Sequence, residues 1–227
     1  MKTKSFLAAL AAFALAIRAF AQTPTPPPDA AALNQQSIER GQQKNYKAAV
    51  ELAEQATKAD PTKPEYFSQL GVALSQRINE VSFMQMPVIS TKMRKAFEKS
   101  VELDPQHIPG LIGLARFYAN APEIAGGNLE KAAEVATRLQ KVNPLLGELE
   151  LGRIAEKNEQ PAAALAHFET ALQLKPDHVS ALLGAGRQLA QLGKKDEARA
   201  RFEAALKINP ELEAARKALA ALNAPQN

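Results

Sequence analysis

Prolines recur along this sequence at intervals that match the length of two short helices. The spacings between Pro61, Pro105, Pro144, Pro176 and Pro210 are 44, 39, 32 and 34 residues. Small or apolar residues stand 2, 5, 8 and 12 positions before each of them. Those offsets follow one face of an α-helix, and proline ends a helix because it cannot donate the next main-chain hydrogen bond. The pattern therefore predicts five repeated units, each of which ends in an amphipathic helix.

A second helix is predicted in every unit, on the N-terminal side of the one that ends at the proline. The reason is that a small residue recurs at a matching place in that part of each unit. These small contact points are Ser37, Gly71, Ala115, Gly152 and Gly186. Glycine inside a helix costs about 1 kcal/mol relative to alanine, so its recurrence indicates close helix packing. Each unit is therefore predicted to be helix, turn, helix, with apolar stripes shared between neighbours.

The last full unit carries the most complete pattern, consisting of Gly186, Leu189, Gly193, Ala198, Phe202, Ala205, Leu206 and Pro210. This pattern resembles the tetratricopeptide repeat family, and the unit that ends at Pro61 matches through Tyr46, Ala49 and Ala56. The resemblance implies an all-α fold, a right-handed superhelical solenoid of about five repeats with a concave groove lined by the first helices. It also implies a noncatalytic protein that binds a protein or peptide partner.

The domain boundaries follow from these patterns. Residues 1–21 are predicted to be a signal peptide, 22–29 a proline-rich linker and 30–223 the solenoid. The units cover about 30–61, 62–105, 106–144, 145–176 and 177–210, followed by an amphipathic capping helix at 211–223. Glu148 stands where the family prefers a bulky apolar residue, so the register of the fourth unit stays open.

The N-terminal residues have the pattern of a secretory signal. Lys2 and Lys4 precede an uncharged run of twelve residues, 6–17, and Ala19-Phe20-Ala21 places small residues before an expected cleavage ahead of Gln22. A retained membrane span would need about 18 or more apolar residues, and Arg18 ends the run too early. We therefore expect an exported protein, located in a bacterial periplasm, with no membrane span after the signal is removed.

The charge balance and the missing motifs exclude several functions. The chain has a net charge of +4, but the predicted signal holds three basic residues and no acidic ones, which leaves 25 basic and 24 acidic residues. A nucleic-acid partner is therefore not expected. The absence of cysteine excludes disulfides, Cys-based zinc sites and a thiol nucleophile. Neither a histidine spacing suited to a metal nor a nucleophile motif is present, so we predict no enzyme, no cofactor and no metal site.

Three arginines occupy matching places on the first helices. Arg116, Arg153 and Arg187 each lie one residue beyond a small contact point. One hypothesis is a basic ladder in the groove that binds an acidic segment or a chain terminus, because guanidinium groups pair bidentately with carboxylates. The other is that they form internal ion pairs with Glu150 or Glu156.

Residues 77–93 contain a ten-residue insertion that is rich in apolar residues. It offers the candidate partner-binding residues Phe83, Met84, Met86, Val88 and Ile89. An apolar loop of this kind either folds back on the array or docks a partner, which would make the protein an accessory subunit of an envelope assembly. Another alternative is copper handling, because Met84, Met86 and Met93 are thioethers that can bind Cu(I) as well as fill a core. A second insertion, at 119–128, is interpreted as an elaborated turn, with Asn128 as the cap of the helix that follows.

Overall fold

The structure is a computed structural model that describes residues 29–223. These residues contain eleven α-helices, two short 3₁₀ turns and no strand. The helices α1 to α11 are Ala30–Gln42, Tyr46–Ala59, Pro64–Arg77, Met86–Leu103, Ile108–Asn120, Leu129–Val142, Pro144–Lys157, Pro161–Leu174, Val179–Gln191, Lys195–Ile208 and Glu213–Asn223. The predicted signal peptide and all of the predicted linker except Asp29 lie outside the described residues.

Consecutive helices pack against each other and form five pairs, with α11 against the last pair. The first helix of each pair also contacts the first helix of the next, in the series α1, α3, α5, α7, α9 and α11. Within residues 29–223 the backbones of the second helices do not approach one another closely, and only long side chains such as Arg201 and Glu169 connect them. The first helices are therefore crowded on the inner, concave side of the array. This confirms the predicted all-α solenoid of five repeats with a C-terminal capping helix.

The contact points Gly71, Gly152 and Gly186 are glycines because aromatic rings from the second helices fill the space beside them. Phe97 of α4 lies against Gly71 of α3 and also against Gly113 of α5 in the next repeat. A Cβ atom on either glycine would overlap that ring. Phe202 of α10 lies against Gly186 of α9 in the same way. A single ring thus joins two helices of one repeat to a helix of the following repeat, which explains why the pattern repeats in the sequence.

The fourth repeat is the shortest because it lacks a turn at its start. Only Asn143 separates α6 from α7, whereas four residues, 60–63, separate α2 from α3. Asn143 ends α6, and its side-chain Oδ1 accepts the N–H of Leu146 at 3.0 Å, so one residue caps both helices. Pro144 is therefore the first residue of a helix and does not follow the turn pattern of the other prolines. Gly147 allows this close junction, because a Cβ there would overlap the main chain of Gln140.

The capping helix begins at Glu213, two residues later than expected. The Oδ1 atom of Asn209 accepts the N–H of Glu211 at 3.1 Å, so residues 210–212 form a turn. The predicted apolar stripe is present: Ala215 is fully buried, and it is flanked by the partly buried Leu212, Leu219 and Leu222. These side chains cover the last face of the array.

The first insertion is only partly a loop. A 3₁₀ turn at Ile78–Glu80 and a turn at 81–85 are followed by α4, which starts at Met86 and has 18 residues. The insertion thus adds about one turn at the start of α4, since the other second helices have 14 residues. No helix in the described part of the chain is long and apolar enough to cross a membrane.

Candidate functional site

The concave face carries a buried carboxylate between two arginines. Arg116 of α5 donates from Nε to both oxygens of Glu150 on α7 at 3.1 Å, and from a terminal nitrogen to Oε1 at 2.6 Å. Arg153, one turn further along α7, donates to the same carboxylate. The side chain of Glu150 is 4% exposed, while those of Arg116 and Arg153 are 52% and 38% exposed. The carboxylate therefore fixes two guanidinium groups whose outer faces remain in solvent.

The third predicted arginine is fixed in the same manner. Arg187 of α9 donates from Nε and a terminal nitrogen to the two oxygens of Glu156 on α7, at 2.8 and 2.9 Å. Gln188 donates to the same carboxylate at 2.9 Å. All three predicted arginines thus form the internal ion pairs of the second hypothesis. Their binding of a ligand, which the first hypothesis requires, stays a prediction.

Two clefts meet on this concave face. The apolar cleft, of about 520 Å³, lies between α3, α4 and α5, and its lining includes Val72, Ile78, Met93, Ile112, Phe117 and Pro122. The basic cleft, of about 300 Å³, lies between α5 and α7, and its lining includes Arg153, Lys157 and Glu150. Arg116 and Asn120 line both clefts. The two clefts are therefore neighbouring parts of one groove.

The two insertions converge at the apolar cleft. Ile78, Ser90 and Met93 of residues 77–93, which contain the first insertion, line it on one side, and Ala121 and Pro122 from the second line it on another. The 3₁₀ turn at Glu123–Ala125 packs against α4, which brings the second insertion onto the helix that the first insertion extends. Nothing in the repeat pattern of the sequence shows that the two insertions meet.

The predicted partner-binding residues of the first insertion differ in their exposure to solvent. Phe83, Met84 and Val88 are 85%, 87% and 59% exposed. Met86 is half-buried at the first position of α4. Ile89 was expected to face a partner, but it is buried in the hydrophobic core. It lies on the face of α4 that packs against the array.

The methionines of the copper alternative lie in different environments. Met93 belongs to the hydrophobic core, whereas Met84 is largely exposed. Among residues 29–223 no group of three or more His, Asp or Glu side chains is placed to hold a metal ion. The structure therefore offers no observation that favours copper handling.

Glu148, which departs from the family pattern, is buried with polar partners. It accepts a hydrogen bond from Nε2 of Gln140 at 2.6 Å, and its other oxygen lies 2.8 Å from Nδ1 of His167 on α8. The carboxylate joins α6, α7 and α8 where other repeats use an apolar side chain. Its position settles the register of the fourth repeat, because Glu148 faces the core of its own repeat and Glu150 faces the groove.

The other two histidines have structural contacts near helix starts. Nε2 of His107 lies 3.0 Å from the hydroxyl of Ser68, and burial lowers the pKa of His107. Nδ1 of His178 accepts the N–H of Ala181 at 3.3 Å as the N-cap of α9. Burial, and then the positive charges of Lys175 and Arg153, lower the pKa of His178. Both imidazoles are thus kept neutral near pH 7. The Ser68 hydroxyl beside His107 donates to the carbonyl oxygen of Glu65 at 3.0 Å, so this contact ties a side chain to the main chain of α3.

Comparison with known proteins gives a consistent result. The model of a tetratricopeptide repeat family matches residues 149–213. The structure of TTC0263, a thermophilic TPR protein of Thermus thermophilus, is similar with a TM-score of 0.67 and 22% identity, covering 86% of this chain and 98% of that one. The structure of PilF from Pseudomonas aeruginosa has a TM-score of 0.63 and 17% identity, over 85% of this chain and 88% of that one.

A further similar structure is that of YrrB, described as a TPR protein with an unusual peptide-binding site. Its TM-score is 0.52 at 15% identity, over 84% of this chain and 91% of that one. None of the curated proteins matches the sequence. The family match identifies residues 149–213 as tetratricopeptide repeats, and the similar structures show that the described chain as a whole has the same helical-repeat fold.

Proposed function

We propose that this protein is a noncatalytic scaffold that binds a protein or peptide segment in its concave groove. The observation that carries the proposal is the pair of neighbouring clefts on the first helices, which share Arg116 and Asn120. A segment lying along the groove would contact an apolar site and a charged site at once. The peptide-binding site reported for the similar protein YrrB supports this use of the fold.

The arginines of the groove are suited to binding because they are already ordered. Glu150 and Glu156 hold the guanidinium groups of Arg116, Arg153 and Arg187 through hydrogen bonds. A side chain that is fixed before binding loses less conformational entropy when a ligand arrives. Guanidinium carries five N–H donors, so donors remain for a ligand after the internal pair has formed. The internal pairs and ligand binding are therefore compatible.

A matched pair of variants tests this use of the groove. Arg187→Ala removes an arginine that bridges two first helices, whereas Arg201→Ala removes one that binds Glu169 between two second helices at 3.0 Å. The purified protein is used to capture partners from an envelope extract, and the partners are identified by mass spectrometry. We expect Arg187→Ala to lose partners that Arg201→Ala retains. Equal capture by the two variants would remove the support for a groove ligand.

We propose further that the scaffold acts in the cell envelope after export. The basic start, the uncharged run and Ala19-Phe20-Ala21 support a cleaved signal. The test is to express the whole chain and measure the mass of the mature protein, which should begin at Gln22. Ala21→Phe should block this cleavage, because the enzyme that removes signals reads a small residue there. A mature protein that still begins at Met1 would contradict this location.

A second candidate function is that of an accessory subunit fixed in an envelope assembly by the first insertion. The exposure of Phe83, Met84 and Val88 favours it, because large apolar side chains are rarely left together in solvent. Phe83→Ser with Met84→Ser should release the protein from the assembly, measured by size-exclusion chromatography of a mild detergent extract. Leu174→Ser is the control, since Leu174 is an exposed apolar residue on α8. Release by the control would indicate a general loss of solubility.

A further inference from the structure

We infer that the two insertions together form an anchoring pocket, and that the groove's ligand is an acidic segment carrying one bulky apolar side chain. This inference rests on the proposed function, since it names the chemistry of the ligand that the groove would bind. The apolar side chain would enter the apolar cleft. The acidic side chains would lie over the arginines and the lysine of α7 and α9.

The anchoring pocket depends on both insertions. Ile78, Met93 and Pro122 provide apolar walls; Ile78 and Pro122 come from the two insertions, and Met93 from the regular face of α4. Val72 and Ile112 of the regular repeats complete the lining. The volume of about 520 Å³ is in the range of sites that bind small molecules and large side chains. Both insertions thus contribute to the lining, so we assign them a role in ligand binding.

The charge of the groove beyond the pocket selects an acidic ligand. Arg116, Arg153, Lys157 and Arg187 lie there together with only Glu150 and Glu156. Both carboxylates already accept hydrogen bonds from these arginines. Lys157 makes no ion pair with any of residues 29–223; its Nζ lies 3.4 Å from Oδ1 of Asn120. The groove therefore has an excess of positive charge that internal pairing does not neutralise.

The spread of these cations favours several acidic side chains over a single C-terminal carboxylate. They stand on α5, α7 and α9, and the axes of neighbouring packed helices are about 8–10 Å apart. The cations thus extend over roughly 20 Å, which one carboxylate cannot reach. An extended peptide covers about 3.3 Å per residue, so roughly six residues would connect the pocket with Arg187. The predicted ligand is one bulky apolar residue with acidic residues among the next six or so on one side.

A selection from a library of random twelve-residue peptides displayed on phage tests the inference. We expect enriched peptides to carry Leu, Ile, Met or Phe close to at least two acidic residues. Enriched peptides without this combination would overturn the inference while leaving the proposed function intact. Absence of any enrichment would contradict the proposed function as well. Enriched peptides are then synthesised with free and amidated C-termini; binding that requires the free terminus would overturn the assignment to acidic side chains.

Matched variants locate the bound peptide. Lys157→Glu reverses the charge in the last turn of α7, and Lys141→Glu makes the same change in the last turn of α6, outside the groove. Fluorescence anisotropy with a selected peptide should show about fivefold weaker binding to Lys157→Glu, with a larger effect at low salt, and no change for Lys141→Glu. Equal effects of the two substitutions would overturn the charged part of the inference.

The apolar pocket has its own matched pair. Val72 lines the pocket and is 37% exposed, whereas Leu174 is 53% exposed on the second helix α8. Val72→Asp should weaken peptide binding at least tenfold and Leu174→Asp should not, with circular dichroism confirming that both variants fold. Binding that survives Val72→Asp would overturn the pocket. Sedimentation of the unchanged protein and of Val72→Asp tests for self-association. If the unchanged protein self-associates and Val72→Asp does not, the pocket binds a second copy of the chain, and the inference of an acidic ligand is overturned.

Discussion

Phe168 of α8 lies directly against Gly184 of α9, so that a Cβ atom at position 184 would stand 2.7 Å from the ring. Gly184→Ala should therefore destabilise the protein. Overpacking costs about 1–3 kcal/mol, and the better helix propensity of alanine offsets up to about 1 kcal/mol of that. We expect a net loss of about 1 kcal/mol in the free energy of unfolding, measured by urea denaturation.

A control and a rescue accompany this substitution. Gly41→Ala is the control, because its new methyl group would meet only the flexible end of Gln76. It should be neutral or slightly stabilising. Phe168→Leu in the Gly184→Ala background should recover part of the loss, since the ring causes the overlap. If Gly41→Ala and Gly184→Ala lower stability equally, ring packing is not the reason for the glycine.

The two arginines on Glu150 should contribute unequally to stability. Arg116 contacts both carboxylate oxygens and joins two repeats, whereas Arg153 donates to one oxygen from the same helix. We expect Arg116→Ala to cost about 2 kcal/mol and Arg153→Ala about 1 kcal/mol. The double variant should cost about 3–5 kcal/mol, because it leaves a buried carboxylate unpaired. Urea denaturation of the single and double variants measures these values, and a smaller loss for Arg116→Ala than for Arg153→Ala would contradict the geometry.

The capping helix should be required for a soluble monomer. Ending the chain at Pro210 removes Leu212, Ala215, Leu219 and Leu222 and exposes the last face of the core. These four apolar side chains, at about 1 kcal/mol each, give a loss of roughly 4 kcal/mol. Light scattering should detect self-association of the shortened chain, because end repeats of solenoids need a polar outer face. Removing residues 224–227 alone is the control and should leave a stable monomer.

His178 should make stability depend on pH. Only its neutral form can accept the hydrogen bond from Ala181 N–H, and burial lowers its pKa below the ordinary value of 6.5. As the pH falls below 6.5, the unfolded chain binds a proton that the folded chain does not, so the free energy of unfolding decreases. His178→Asn keeps the N-cap acceptor without titrating. Unfolding measured between about pH 7.5 and about pH 5.5 should therefore depend less on pH in this variant. Identical pH dependence in both proteins would exclude this role.

The regular part of the fold was predictable because similar helix-packing contacts recur from repeat to repeat. Phe97 and Phe202 need a glycine opposite them, as Phe168 does, so this contact recurs in three of the five helix pairs. The shortened fourth repeat was harder, because no periodicity reveals that Asn143 caps two helices at once. The start of α4 at Met86 was missed because Pro87 resembles a helix breaker, although proline is well tolerated in the first turn.

The candidate site was predictable only in part. The register of Arg116, Arg153 and Arg187 follows from the repeat, so their common face could be inferred from the sequence. The partners of Arg116 and Arg187 depend on inter-repeat distances, which left both ion pairing and ligand binding open. The apolar cleft was missed altogether, because it forms from Ile78 and Pro122, residues of two insertions that interrupt the repeat pattern.

The one-residue junction at Asn143 also has a mechanical consequence. Its main-chain N–H donates to Leu139 at 2.7 Å and its carbonyl accepts from Gly147 at 2.9 Å, so the same residue is bonded into both helices. A change in the angle between α6 and α7 would have to break these bonds. The two halves of the array are thus rigidly coupled at its centre, directly beside the groove that crosses α5 and α7. The width of the groove is accordingly set before a ligand arrives, and binding requires little rearrangement of the backbone.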